Sequence, residues 1–121
     1  MGKIEYSETP EFQKDLKKLT KKYRSLEDDL ETAKKAAIEL YHLKGIDNLS
    51  TFPIPGFCND DLKIYKIKKF ACKSLKGRGS KSGIRVIYAF YNKEVRVDFL
   101  EIYFKGEQTN ENQERIKDYL K

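Results

Sequence analysis

One histidine, two cysteines, three prolines and no tryptophan occur in this 121-residue chain. With His42 alone, a ribonuclease mechanism built on two histidines is excluded. Cys58 and Cys72 have no metal-ligand spacing, and His42, Asp60 and Asp61 add no metal motif to them, so neither a metal nor another cofactor is expected. The two cysteines read as free thiols in a reducing cytosol, with a disulfide between them as the alternative. Serine and cysteine nucleophile triads have no supporting motif. No window is apolar enough to span a membrane, and the opening MGKIEYSETP has no apolar signal region. The expectation is a soluble cytoplasmic protein of one domain, residues 1–121, without membrane partners.

Acidic residues are also missing locally. From Lys63 to Arg85 the chain carries nine cations and no Asp or Glu, while the rest is net acidic. This segment therefore accounts for more than the whole net charge of +6. Such a block, with Tyr65 and Phe70 interleaved, suits a polyanion, although a solvated surface that binds nothing has the same composition. Within it, Gly79-Ser80-Lys81-Ser82 imitates the end of a phosphate-binding P-loop. That motif needs glycine immediately before the lysine and a helix after it, whereas here Ser80 precedes Lys81 and a strand pattern follows. Eight tyrosines and seven phenylalanines still supply large packing units, so a folded core is expected.

Ile4 and Tyr6 alternate with polar residues, which predicts a short strand. Thr9-Pro10-Glu11 then opens a helix: Thr9 caps it, Pro10 fits its first position and Glu11 suits the positive end of the dipole. Phe12, Leu16, Leu19 and Tyr23 form its buried stripe. A second helix starts at Ser25, with Asp28 completing a capping-box-like pair, and runs through Leu26, Leu30, Ala33, Ala37, Leu40 and Tyr41 to a stop at Gly45. Residues 46–61, with Pro53, Pro55, Gly56 and Asn59, read as irregular. The period then changes to two. Leu62–Phe70, Ile84–Tyr91 and Val95–Phe104 read as strands, with Asn92-Lys93-Glu94 turning the last pair. In the final strand the apolar face switches between Phe99 and Leu100, which predicts a bulge. Asn110 is the expected cap of a terminal helix with Ile116, Tyr119 and Leu120 on one edge. The fold class is α+β: an N-terminal strand, a two-helix hairpin, three antiparallel strands completing a four-stranded sheet, and a short C-terminal helix. The helices are expected on one sheet face, leaving the other to display Arg85.

Cleavage of RNA by its own 2′-hydroxyl needs that oxygen deprotonated, the leaving oxygen protonated and the extra phosphate charge stabilised. Arg and Lys supply the last of these directly. A lysine whose pKa is depressed by neighbouring cations also exchanges protons, and the crowded Lys66, Lys68 and Lys69 are candidates. Plain phosphate binding uses the same residues, and composition does not separate the two.

YKIKK (65–69), KSLKGRGSKSGIRVIYAFY (73–91), VRVDFLEIYFKG (95–106) and ERIKDYL (114–120) resemble the RelE/ParE superfamily of bacterial type II toxins, with GIRVIY (83–88) the most specific part. For the RelE-like branch the resemblance implies an mRNA endonuclease acting on the ribosome and held inactive by a cognate antitoxin with an acidic or amphipathic segment. It implies that Lys66 and Lys68 contact and help activate the RNA and that Arg85 stabilises the phosphate. Lys105 sits where the family places an Arg or His. Lys63, Lys69, Lys73, Lys76, Arg78 and Lys81 would add RNA affinity. A tyrosine often follows the Lys105 position in the family, but Gly106–Gln113 contains none, and Tyr88 and Tyr103 are the candidates to replace it. The alternatives are a ParE-like poison of DNA gyrase and a non-catalytic relative that binds RNA or antitoxin.

Overall fold

The computed structural model describes residues 3–47, 49–57, 59–75 and 81–121. Its centre is a five-stranded sheet in the order β1-β5-β4-β3-β2, formed by β1 (Glu5–Glu8), β2 (Thr51–Pro53), β3 (Leu62–Ile67), β4 (Ile84–Tyr91) and β5 (Arg96–Phe104). Strands β2 to β5 pair antiparallel, and β1 joins β5 in parallel. The fifth strand, β2, lies where the prolines suggested irregular chain. Pro53 is accommodated because β2 is an edge strand, where a missing N–H interrupts no inner ladder. Both edges are only a few residues long, which limits edge-to-edge association.

Helix α1 (Pro10–Thr20) begins as its sequence predicts: Thr9 Oγ1 accepts the Phe12 N–H and Pro10 takes the first turn. The second helix is composite. α2 (Leu26–Ala33) runs into a π-helical stretch (Lys34–Glu39) and ends in the short α3 (Leu40–His42), after which Gly45 adopts φ +66°. The Ser25–Asp28 capping pair is not formed. Ser25 Oγ donates to Asp29 and accepts the Ser74 N–H, so this residue ties the helix start to the chain beyond β3. Helix α4 (Gln113–Leu120) is capped by Asn112 rather than Asn110, its side chain accepting the Arg115 N–H at 3.1 Å. The predicted bulge is present: Ile87 pairs with Glu101 but Tyr88 with Phe99, so Leu100 is the extra residue. Val95 belongs to the turn, with φ +50°, rather than to the strand.

Alternation along the strands divides the core in two. One cluster joins Phe12, Leu26, Leu30 and Ile38 to Tyr65, Ile67, Val86, Tyr88 and Phe99, under the first helices. The other joins Ile64, Ile87, Ala89, Leu100 and Tyr103 to Ile116, with Tyr119 and Leu120 packed against it. Helices therefore cover both faces, not one. The apolar edge of α4 is enough to seat it, and polar anchors fix its position. Arg115 donates to Asp15 at 2.6 Å and to the Leu100 carbonyl at 3.0 Å, while Tyr119 donates to Asp98. Burial opposes ionisation of Asp98. Hydrogen bonds from Ser7 and Tyr119 and the Arg96 guanidinium outweigh it and hold the carboxyl below its usual range.

His42 is structural. Its ring stacks on Phe90 at 3.9 Å and its Nε2 lies 2.8 Å from the Tyr88 hydroxyl. Burial pushes its pKa from 6.5 down to about 4. Between those values the unfolded chain binds more protons than the folded one, so stability falls as pH drops from about 6.5 towards 4. With partial exposure discounted, the loss is roughly 2 kcal/mol. The single histidine makes this checkable by one imidazole NMR titration beside denaturation curves. A midpoint above pH 6 in the folded protein would contradict the burial argument.

Candidate functional site

The site lies on the sheet face opposite α1 to α3. Register builds it in two rows. In the first, Phe52, Lys66, Ile87 and Glu101 lie side by side across β2, β3, β4 and β5. In the second, Arg85 on β4 stands directly opposite Tyr103 on β5. Lys68, just beyond β3, holds its ammonium 4.8 Å from the Phe52 ring. Arg85 is aimed by the turn before it. Gly83 takes φ +86°, and a Cβ there would meet the Phe104 ring at 3.0 Å. The buried Ser82 donates to the Phe70 carbonyl and accepts the Ile84 N–H. The Arg85 guanidinium then reaches the Lys68 carbonyl at 2.8 Å, placing its charge beside the end of β3.

Lys66 is the most constrained cation. Its side chain is 13% exposed, and Nζ meets Glu111 Oε1 at 2.8 Å, itself 11% exposed. Burial alone would lower the Lys66 pKa, but the Glu111 carboxylate outweighs it and raises it. The reverse holds for Glu111: burial opposes its charge, and Lys66 holds its pKa below the ordinary range. The expected lysine of depressed pKa is therefore not found at Lys66, because an acid distant in sequence sits on it. Lys66 Nζ also lies 6.0 Å from the centre of the Tyr103 ring. The Tyr103 hydroxyl is buried beside the Lys66 ammonium and makes no well-aligned hydrogen bond among the described residues. Burial raises its pKa, and the Lys66 charge counters part of that rise.

Lys63, Lys69 and Lys73 do not gather here. Lys63 lies on the helix-side face, lining a cavity of about 220 Å³ with Tyr41, His42, Tyr65 and Phe90. Lys69 borders a different cavity, beside Ala33, Ala36 and Phe70. The exposed Lys73 follows Cys72, and its N–H bonds Asp29 near the start of α2. Exposed Lys81 bridges Phe70, and exposed Lys105 follows β5 with its N–H on the Gly83 carbonyl. Lys76 and Arg78 lie outside the described residues, as does Cys58, while Cys72 is a buried free thiol. Of the two candidate tyrosines, Tyr88 is fully buried on the helix side and bonded to His42, so Tyr103 is the one that shares the face of Lys66 and Arg85.

No family model matches the chain, and no curated protein matches it in sequence. Among solved structures it is similar to a chain of the archaeal RelE–RelB complex from Pyrococcus horikoshii OT3. The TM-score is 0.54 at 14% identity, covering 85% of this chain and 96% of that one. The fold is RelE-like. On this RelE-like sheet, sequence reasoning missed Glu111 and Glu101. Glu101 is buried among strand residues, and Glu111 sits in a polar stretch of no distinctive spacing, so neither carried a signal of its role. No helix among the described residues is long and apolar enough to cross a membrane.

Proposed function

We propose that the chain is the toxin of a type II toxin–antitoxin pair and cleaves mRNA engaged on the ribosome. The observation that carries this reading is the convergence of Lys66, Lys68, Arg85 and Tyr103 on one face of a RelE-like sheet. In the reaction the RNA 2′-hydroxyl loses its proton to solvent as its oxygen bonds to phosphorus, and the 5′-oxygen leaves. Lys66 and Arg85 stabilise the charge that builds on the phosphate oxygens. Tyr103, kept protonated by burial, gives its proton to the leaving oxygen. Lys68 and Lys105 guide the strand. The similar structure was solved as a complex of RelE with RelB, which supports a dedicated protein partner, an antitoxin, for this chain as well.

Expression of the wild-type chain is expected to slow growth and create new 5′ ends within mRNAs. Arg85→Ala is expected to reduce those ends about 10²–10³-fold, the cost of losing one fixed group that stabilises developing charge. Transcript-end mapping reads both. Intact transcripts with inhibited gyrase would move the assignment to a ParE-like poison. A harmless chain that still binds RNA would make it a non-catalytic relative.

A further inference from the structure

The segment between β5 and α4 crosses the sheet face and is fastened to it at three points. Glu101 accepts the Gln108 side-chain amide at 2.7 Å and the Asn112 N–H at 2.8 Å. Between those two anchors Glu111 reaches Lys66, from the strand beyond β4. The far end is held by α4, whose Ile116 is buried and whose Arg115 pairs with Asp15. A buried carboxylate thus spends its bonds on holding a strap, and the strap spends its own carboxylate on the site's most enclosed cation.

From this arrangement we propose that the strap is a built-in stopper, with the Glu111 carboxylate occupying on Lys66 the place of an RNA phosphate. The inference rests on the proposed role of Lys66 in phosphate contact. Carboxylate and phosphate oxygens make the same charge-assisted bond to an ammonium, so the two compete for one position. The buried Tyr103 hydroxyl beside the pair, without a well-aligned partner, is the second sign of a closed state. Lifting Glu111 exposes Lys66 and gives Tyr103 something to bond. Buried Ile116 and the Arg115–Asp15 pair keep α4 seated while Glu111 leaves Lys66.

The test is the affinity of the full chain for a fluorescein-labelled single-stranded RNA carrying 2′-O-methyl groups, which is not cleaved. Glu111→Gln keeps the side-chain shape and is expected to tighten binding about fivefold, the worth of one partly buried ion pair. Freed Lys66 adds a phosphate contact, so the slope of log affinity against log salt steepens by about 0.7. Both gains vanish when Lys66→Gln is added. Glu114→Gln removes the same charge from the exposed start of α4 and is expected to change affinity less than about twofold. Equal gains from Glu111→Gln and Glu114→Gln, or none from Glu111→Gln while Lys66→Gln still weakens binding, overturn the stopper and leave the site's reading intact. No gain from Glu111→Gln together with unchanged affinity in Lys66→Gln overturns both.

Discussion

Replacing Phe99 with alanine is expected to cost about 3–5 kcal/mol of folding stability. Phe99 has no exposed surface and stacks on Phe12 at 5.1 Å and Tyr6 at 5.9 Å, with Tyr88 edge-on at 6.3 Å. Those three rings come from α1, β1 and β4, so one side chain joins the first helix to the sheet. Its carbonyl accepts both the Thr9 N–H and the Thr9 hydroxyl, each at 3.1 Å, which seats the N-terminus of α1. Alanine preserves that backbone acceptor, so the measured loss belongs to the ring and its cavity. Against a typical total of about 5–15 kcal/mol, the variant would be near its limit of stability. Denaturant titration should show a lower midpoint at unchanged slope, whereas Ile46→Ala, at a half-exposed position, should change little. A loss below about 1.5 kcal/mol would mean that the neighbouring rings collapse into the space.

The fold was legible where local chemistry and periodicity agree. Thr9 and Pro10 start α1, Gly45 stops the second helix, and the Phe99–Leu100 phase switch marks the bulge. Ile84–Tyr91 matches β4 residue for residue, because six of its eight residues are β-branched or aromatic. Local reading failed where a distant partner decides. Ser25 has the chemistry of a cap, but Ser74 and Asp29 claim its hydroxyl. Pro53 looks like a breaker until β3 offers it an edge to pair with. The weak apolar edge of α4 gave no hint that Arg115 and Tyr119 would fasten it across the second face.

The site was legible in part for the same reason. Lys66, Arg85 and Tyr103 share a face because strand alternation and register place them there, and alternation can be read from sequence once the strands are found. Alternation also places Lys63 on the opposite face, so a block continuous in sequence is divided in space. The pairing of Lys66 with Glu111 spans 45 residues and depends on the path of a strap. Charge counting saw only the cations. The acid that sets the Lys66 pKa came from a segment that looked like plain linker.

Tyr103→Phe is expected to lower the rate of RNA cleavage by about 10²–10⁴-fold, the usual worth of a positioned proton donor. The same change is expected to leave stability unaltered or raise it by up to about 1 kcal/mol. The reason is that the Tyr103 hydroxyl is buried without a well-aligned partner, so folding strips it of water and returns at most a weak bond to Lys66. Phenylalanine keeps the ring, which is 4% exposed and packs with Ile87, Leu100 and Ile116. RNA affinity should be little changed, because the phosphate contacts lie on Lys66, Lys68 and Arg85. Loss of rate with intact binding and undiminished stability separates a chemical role from a misfolded variant. Single-turnover cleavage of ribosome-bound mRNA, RNA binding and denaturant titration on the same preparation measure all three. A rate within threefold of wild type would remove Tyr103 from the reaction, and its orphaned hydroxyl would then be only a cost to folding that Tyr103→Phe relieves.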